Sequence, residues 1–119
     1  MHLRYGLNPQ QPAFAEPIDR APVRIVHGEP SYINLLDVLN AAQLVREAAL
    51  ALDEPVATSF KHVSPAGAAT AGPIDEAMAD LYRVDAGVGA LTSAYVRARD
   101  SDPKSSYGDI IAVSHEVDA

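Results

Sequence analysis

The segment Ser59-Phe60-Lys61-His62-Val63-Ser64-Pro65-Ala66-Gly67-Ala68-Ala69 sets a lysine beside a histidine where an apolar run gives way to small residues. Upstream, Pro55-Val56-Ala57-Thr58-Ser59-Phe60 is apolar and partly β-branched, the pattern of a short buried strand. Downstream, Ser64 followed by Pro65 predicts a helix start, with a hydroxyl N-cap and then a proline where no backbone N–H is needed. Strand, turn and helix would put Lys61 and His62 at the carboxyl end of a strand, where open α/β sheets bind ligands. Neighbouring side chains of a regular strand point to opposite faces. At a turn that rule lapses, and both can serve one pocket.

On the amino-terminal side, Asn34 predicts the cap of a long helix ending near Leu52. Leu35, Val38, Leu39, Ala42, Val45, Ala49 and Leu52 recur at helical spacing and form its expected core stripe, and Asp37 near its start suits the helix dipole. Val23-Arg24-Ile25-Val26-His27 alternates as a strand does. Residues 1–22 lack any period and carry Pro9, Pro12, Pro17 and Pro22, which predicts an extended arm. Within that arm Arg4 and Tyr5 are the ligand-facing candidates, although an arginine on a loose terminus is ordinarily just solvated.

On the carboxyl side, Gly72-Pro73 opens a predicted helix from Ile74 to about Val84, with Ile74, Ala77, Met78, Leu81 and Tyr82 inward. Thr92 to Arg99 predicts a short helix carrying Tyr95 and two solvated arginines. Ser105-Ser106-Tyr107-Gly108 is a turn leading into Ile110-Ile111-Ala112-Val113, a buried strand. The run from Ala66 to Ala69 admits two readings. Its small side chains let backbone N–H groups at a helix N-terminus approach an anion, or they let a helix pack closely on a sheet.

Composition narrows the function. The net charge of −7 and the lack of a basic stripe exclude a general nucleic-acid binder. No apolar run nears the roughly 20 residues of a membrane span, and no signal-peptide pattern precedes Arg4, so no membrane contact and a cytoplasmic location are expected. With no cysteine in 119 residues, disulfides and thiolate chemistry are excluded. His2, His27, His62 and His115 show no metal-ligand spacing, so no metal site is expected. Neither a P-loop lysine motif nor a Gly-x-Ser-x-Gly elbow occurs, and Gly87-Val88-Gly89 lacks the third glycine of a dinucleotide loop.

Lys61-His62-Val63-Ser64-Pro65-Ala66-Gly67-Ala68-Ala69 resembles the active-site segment of the AICAR formyltransferase family. These enzymes pass a formyl group from 10-formyltetrahydrofolate to the amine of the purine precursor AICAR. Three more blocks resemble the same family in the same order: Leu3-Arg4-Tyr5-Gly6 with Asn8-Pro9, Tyr32-Ile33-Asn34-Leu35 with Asp37, and Ser105-Ser106-Tyr107-Gly108-Asp109. The resemblance implies His62 as proton acceptor and Lys61 as transition-state stabiliser. It also implies substrate contacts from Arg4, Tyr5, Asn34 and Gly108. A histidine suits the first task by its ordinary pKa, and an ammonium suits the second.

The fold so implied is a three-layer αβα unit of the cytidine deaminase type, here as a partial domain, with residues 1–22 as its arm and 23–119 as the αβα unit. 10-Formyltetrahydrofolate is the implied cosubstrate, AICAR the substrate and a homodimer the assembly. The matched region is the first part of the family's domain, so folate contacts are expected outside this sequence and the chain alone is expected to be inactive. Met1 stands just ahead of the Arg4 block, so the cyclohydrolase domain of many members is expected to be absent. The alternative is a non-catalytic nucleotide-binding remnant or a truncated product. Two departures stand out: Gln10 replaces the usual histidine, and Ala66 stands where some members have cysteine.

Overall fold

His62 and Val63 both adopt left-handed backbone, with φ of 53° and 64°. Two consecutive residues of this kind reverse an extended chain onto itself, since their twist matches that of paired strands. The chain therefore does not enter a helix at Ser64. Strand β3 (Val56–Lys61) turns back through His62 and Val63 into strand β4 (Ser64–Thr70), and the two pair antiparallel with Lys61 opposite Ser64. A computed structural model describes every residue except Ala86, Asp118 and Ala119. The last two residues of the expected αβα segment thus lie outside the described residues.

The elements are, in order, strands β1 (His2–Leu3) and β2 (Ala13–Phe14), helix α1 (Tyr32–Leu52), the β3–β4 hairpin, helices α2 (Glu76–Tyr82) and α3 (Ala90–Asp100), and strand β5 (Ile110–Val113). The chain is mixed α/β. It divides into two compact units, Met1–Leu36 and a second beginning at Asp37.

In the first unit β1 and β2 form an antiparallel ribbon, and Val23–His27 is irregular backbone rather than the expected strand. The Arg4 N–H donates to the Pro30 carbonyl at 2.9 Å, and Tyr32 N–H donates to the Tyr5 carbonyl at 3.0 Å. The arm is thereby tied to the start of α1. That helix is capped by Ser31, not by Asn34. Ser31 Oγ accepts from Asn34 N–H at 3.2 Å while Asn34 Oδ1 accepts from Ser31 N–H at 3.0 Å, a reciprocal capping box.

In the second unit the sheet order is β4-β3-β5, antiparallel throughout. Ser64-Pro65 reads as a helix start, but pairing with β3 prevails. β4 lies at the sheet edge, where the N–H that proline lacks is not missed. The register shifts by one between Ser59 and Phe60, leaving Ala66 as the extra residue of a bulge. Helix α3 lies against β4 and β3, and a Cβ on Gly67 would run into the Ala98 carbonyl. Of the two readings of the small-residue run, close helix–sheet packing is the one realised. There is no helix N-terminus at Ser64.

Ala57, Ala94 and Ala98 are fully buried together, with Ala69, Tyr95 and Val113 packed around them. Val56 and Phe60 alternate to the other face of β3 and are buried as well, so both faces are covered. Burying Phe60 stabilises the hairpin by about 1.5–3 kcal/mol. On α1 the buried residues are Asp37, Ala41 and Val45; of the expected stripe Val45 is therefore buried and Leu35, Val38 and Ala49 are half-buried, but Leu39, Ala42 and Leu52 are exposed. α2 buries no residue, and Ala77 and Leu81 face solvent. The α3 arginines are not free in solvent either. Arg97 donates to the Thr70 carbonyl at 2.7 Å and Arg99 to the Tyr95 hydroxyl at 3.0 Å. β5 stands where expected, although Ile111 is exposed on it.

Candidate active site

Lys61 is the last residue of β3 and His62 the first of the turn, so the alternation of strand side chains ends between them. His62 is exposed and Lys61 half-buried. A left-handed residue costs on the order of 1–2 kcal/mol when it carries a Cβ. Valine, branched at Cβ, is an especially poor choice. The turn is held from outside. Val63 N–H donates to Asp37 Oδ1 at 2.6 Å, and Asp37 is 4 % exposed. A hydrogen bond to a buried carboxylate contributes about 1.5–3 kcal/mol, enough to offset much of the strain. Asp37 is therefore not a helix-dipole partner. It lies beyond the first turn of α1 and is committed to the hairpin.

The pairing of Phe60 with Ile110 brings the segment before β5 alongside the end of β3. There the Lys61 ammonium donates to the Tyr107 carbonyl. Gly108 follows with φ of 64°, a conformation glycine adopts without steric cost. Ser59 Oγ donates to Asp109 Oδ2 at 2.6 Å and lies 2.9 Å from Ser106 Oγ. A hydroxyl has one proton, so Ser106 is the donor in the second bond. Ser59 and Ser106 are both buried, and this polar triad fixes the Tyr107 carbonyl against Lys61. Earlier in the segment Asp102 accepts from Ser105 Oγ at 2.6 Å and from Ser105 N–H at 3.1 Å. The Ser105 hydroxyl, then the backbone N–H, hold the Asp102 carboxyl below its ordinary pKa.

Of the six residues expected in the site, the second unit thus brings Lys61, His62 and Gly108 together. The other three gather in the first unit. Arg4 Nη2 donates to the Tyr5 hydroxyl at 3.1 Å, its guanidinium carbon lies 4.9 Å from the Tyr5 ring centroid, and Asn34 stands in the capping box at the start of α1, where Tyr32 N–H donates to the Tyr5 carbonyl. Arg4 is exposed, its charge presented to solvent. Asp37, Ser59 and Ser106 support the site; Asp37 and Ser106 stand in the blocks that resemble the family, but nothing in the sequence shows which groups they hold. A buried carboxylate on a helix reads like any other until its partner, 26 residues away, is known. Among the described residues no group of three or more His, Asp or Glu side chains is placed to hold a metal ion.

A family profile described as AICARFT/IMPCHase bienzyme matches residues 1–119. The chain belongs to this family. It is 37% identical over 123 residues to the bifunctional purine biosynthesis protein PurH of Shouchella clausii. It is 35% identical to the PurH protein of Oceanobacillus iheyensis and 34% to that of Macrococcus caseolyticus. Each alignment covers 98% of this chain and 20% of the relative, so the chain spans about a fifth of the length of these purine biosynthesis proteins. No helix among the described residues is long and apolar enough to cross a membrane.

Proposed function

We propose that this chain supplies the catalytic pair and part of the nucleotide site of an AICAR formyltransferase, a fragment of a three-layer αβα domain of the cytidine deaminase type. The observation that carries the reading is the hairpin turn that sets Lys61 beside His62 and braces the ammonium on the Tyr107 carbonyl. The AICAR amine is a weak nucleophile because its lone pair is delocalised. As that lone pair attacks the formyl carbon of 10-formyltetrahydrofolate, a new N–C bond forms and His62 takes the amine proton. Lys61 stabilises the charge that develops on the formyl oxygen. The bond from the formyl carbon to N10 of the folate then breaks, and N10 receives a proton.

The Arg4 guanidinium, a planar fork of donors, receives the nucleotide phosphate with Tyr5. Asn34 and the Gly108 backbone contact the remainder of the nucleotide. Folate contacts come from residues beyond these, the enzyme works as a homodimer, and the reaction is cytoplasmic.

The test is formyl transfer from 10-formyltetrahydrofolate to AICAR by the full-length protein. Wild-type transfer, and its loss in Lys61→Ala and His62→Ala with little change in AICAR affinity, is the expected result. Near-normal turnover in His62→Ala would overturn the reading. AICAR binding with no transfer by the wild type would point instead to a non-catalytic nucleotide-binding module.

A further inference from the structure

We infer that Asp37 is a positioning residue for His62, acting through the Val63 amide; this rests on the reading of His62 as the proton acceptor. The amide that donates to Asp37 Oδ1 belongs to the peptide joining His62 to Val63. A peptide unit is planar, so holding its N–H also sets the direction of the His62 carbonyl and the backbone dihedral behind it. That dihedral, with the left-handed φ of His62, aims the bond from which the imidazole projects.

Both residues of the turn are left-handed without being glycine, and one is β-branched. Such a turn has little preference for this geometry on its own and relaxes when its restraint is removed. The restraint is a buried carboxylate on a long helix, at a distance of 2.6 Å. His62 itself is exposed. Its aim is therefore set through the backbone, and Asp37 supplies the bond that sets it.

The experiment compares His62→Ala, Asp37→Ala, Asp37→Asn and Asp37→Glu in the full-length protein. Turnover, KM for AICAR and the exchange protection of the Val63 amide are followed. Asparagine keeps an acceptor at the same place, and glutamate displaces it by one methylene. Asp37→Ala and Asp37→Glu are expected to lower kcat about 10- to 100-fold, the penalty of a small misplacement, with KM for AICAR within about twofold. Both lose protection at Val63, while Asp37→Asn keeps it and stays within about threefold of wild-type kcat.

Wild-type kcat in Asp37→Ala beside an inactive His62→Ala overturns the positioning role and leaves the role of His62 standing. Full turnover in His62→Ala overturns the functional reading itself, and the positioning role falls with it. If Asp37→Ala fails to fold, the asparagine and glutamate variants decide: equal kcat in the two overturns the inference.

Discussion

Two turns flank the Lys61 ammonium, and they reach left-handed backbone by opposite means. At Gly108 the position is filled by the residue that enters it freely. At His62–Val63 it is filled by two residues that resist it, and a buried carboxylate from another element holds them there. A turn made of glycine is stable by its own chemistry and tells little about purpose. A turn made against local preference persists only because the surrounding structure over-determines it, and such places coincide with function. The segment before Gly108 also has a carboxylate, Asp102, but it binds its own loop at Ser105. The left-handed backbone of Gly108 is locally encoded, although Ser59 ties its neighbours Ser106 and Asp109 to β3. That of His62–Val63 is imposed from a distance.

The largest effect that separates them is catalytic. Turnover of His62→Ala, and of Lys61→Ala, is expected to fall by roughly 10²–10⁴, whereas replacing Ser105 by alanine leaves it near wild type in the same formyl-transfer assay. Next comes the restraint itself. Asp37→Ala costs about 1–3 kcal/mol of local stability, because the Val63 N–H loses its partner; amide hydrogen exchange across β3 and β4 measures this. Gly108→Ala forces a Cβ into left-handed backbone and costs on the order of 1–2 kcal/mol, read from the same exchange experiment across β5. Val63→Asn should go the other way, stabilising by about 0.5–1 kcal/mol since asparagine tolerates the conformation. A destabilised Val63→Asn would show that the valine side chain contributes more than its backbone costs.

The smallest effect concerns pH. Asp102 has a folded pKa below its unfolded value, so its contribution is complete above the unfolded carboxylate pKa of about 3.9. It is lost as pH falls through the lower folded value. Exchange rates at Ser105 in wild type and Asp102→Asn should therefore differ at neutral pH and converge in acid. A difference that persists in strong acid would mean that the carboxylate charge is not what orders the loop.

Much of this was legible from residue patterns. β3 follows from an apolar, partly β-branched run, β5 from Ile110–Val113, and α1 from its length and helical spacing. What misled was local chemistry read without its partners. Ser64-Pro65 satisfies every rule for a helix start, yet the strand partner and the helix seated on Gly67 outweigh it. The phase of α1 was only partly right because Ala, Leu and Val lie nearly all round it, and spacing alone cannot choose among apolar faces. Asp75 is a counter-example, since it caps α2 by accepting from Met78 N–H at 2.8 Å, close to the helix start predicted after Gly72-Pro73.

For the candidate site, Lys61, His62, Arg4, Tyr5, Asn34 and Gly108 are proposed from the motif blocks that resemble the family, because side-chain chemistry and motif order are properties of the linear chain. Their geometry is not. Whether Ser64 begins a helix or a strand, which face of α1 is buried, and that Asp37 holds the Val63 amide while Tyr107 accepts from Lys61 all depend on contacts between residues far apart in sequence. Local propensities differ by about 1 kcal/mol or less per residue. A single buried hydrogen bond or side chain outweighs that, so the tertiary contacts had the final word.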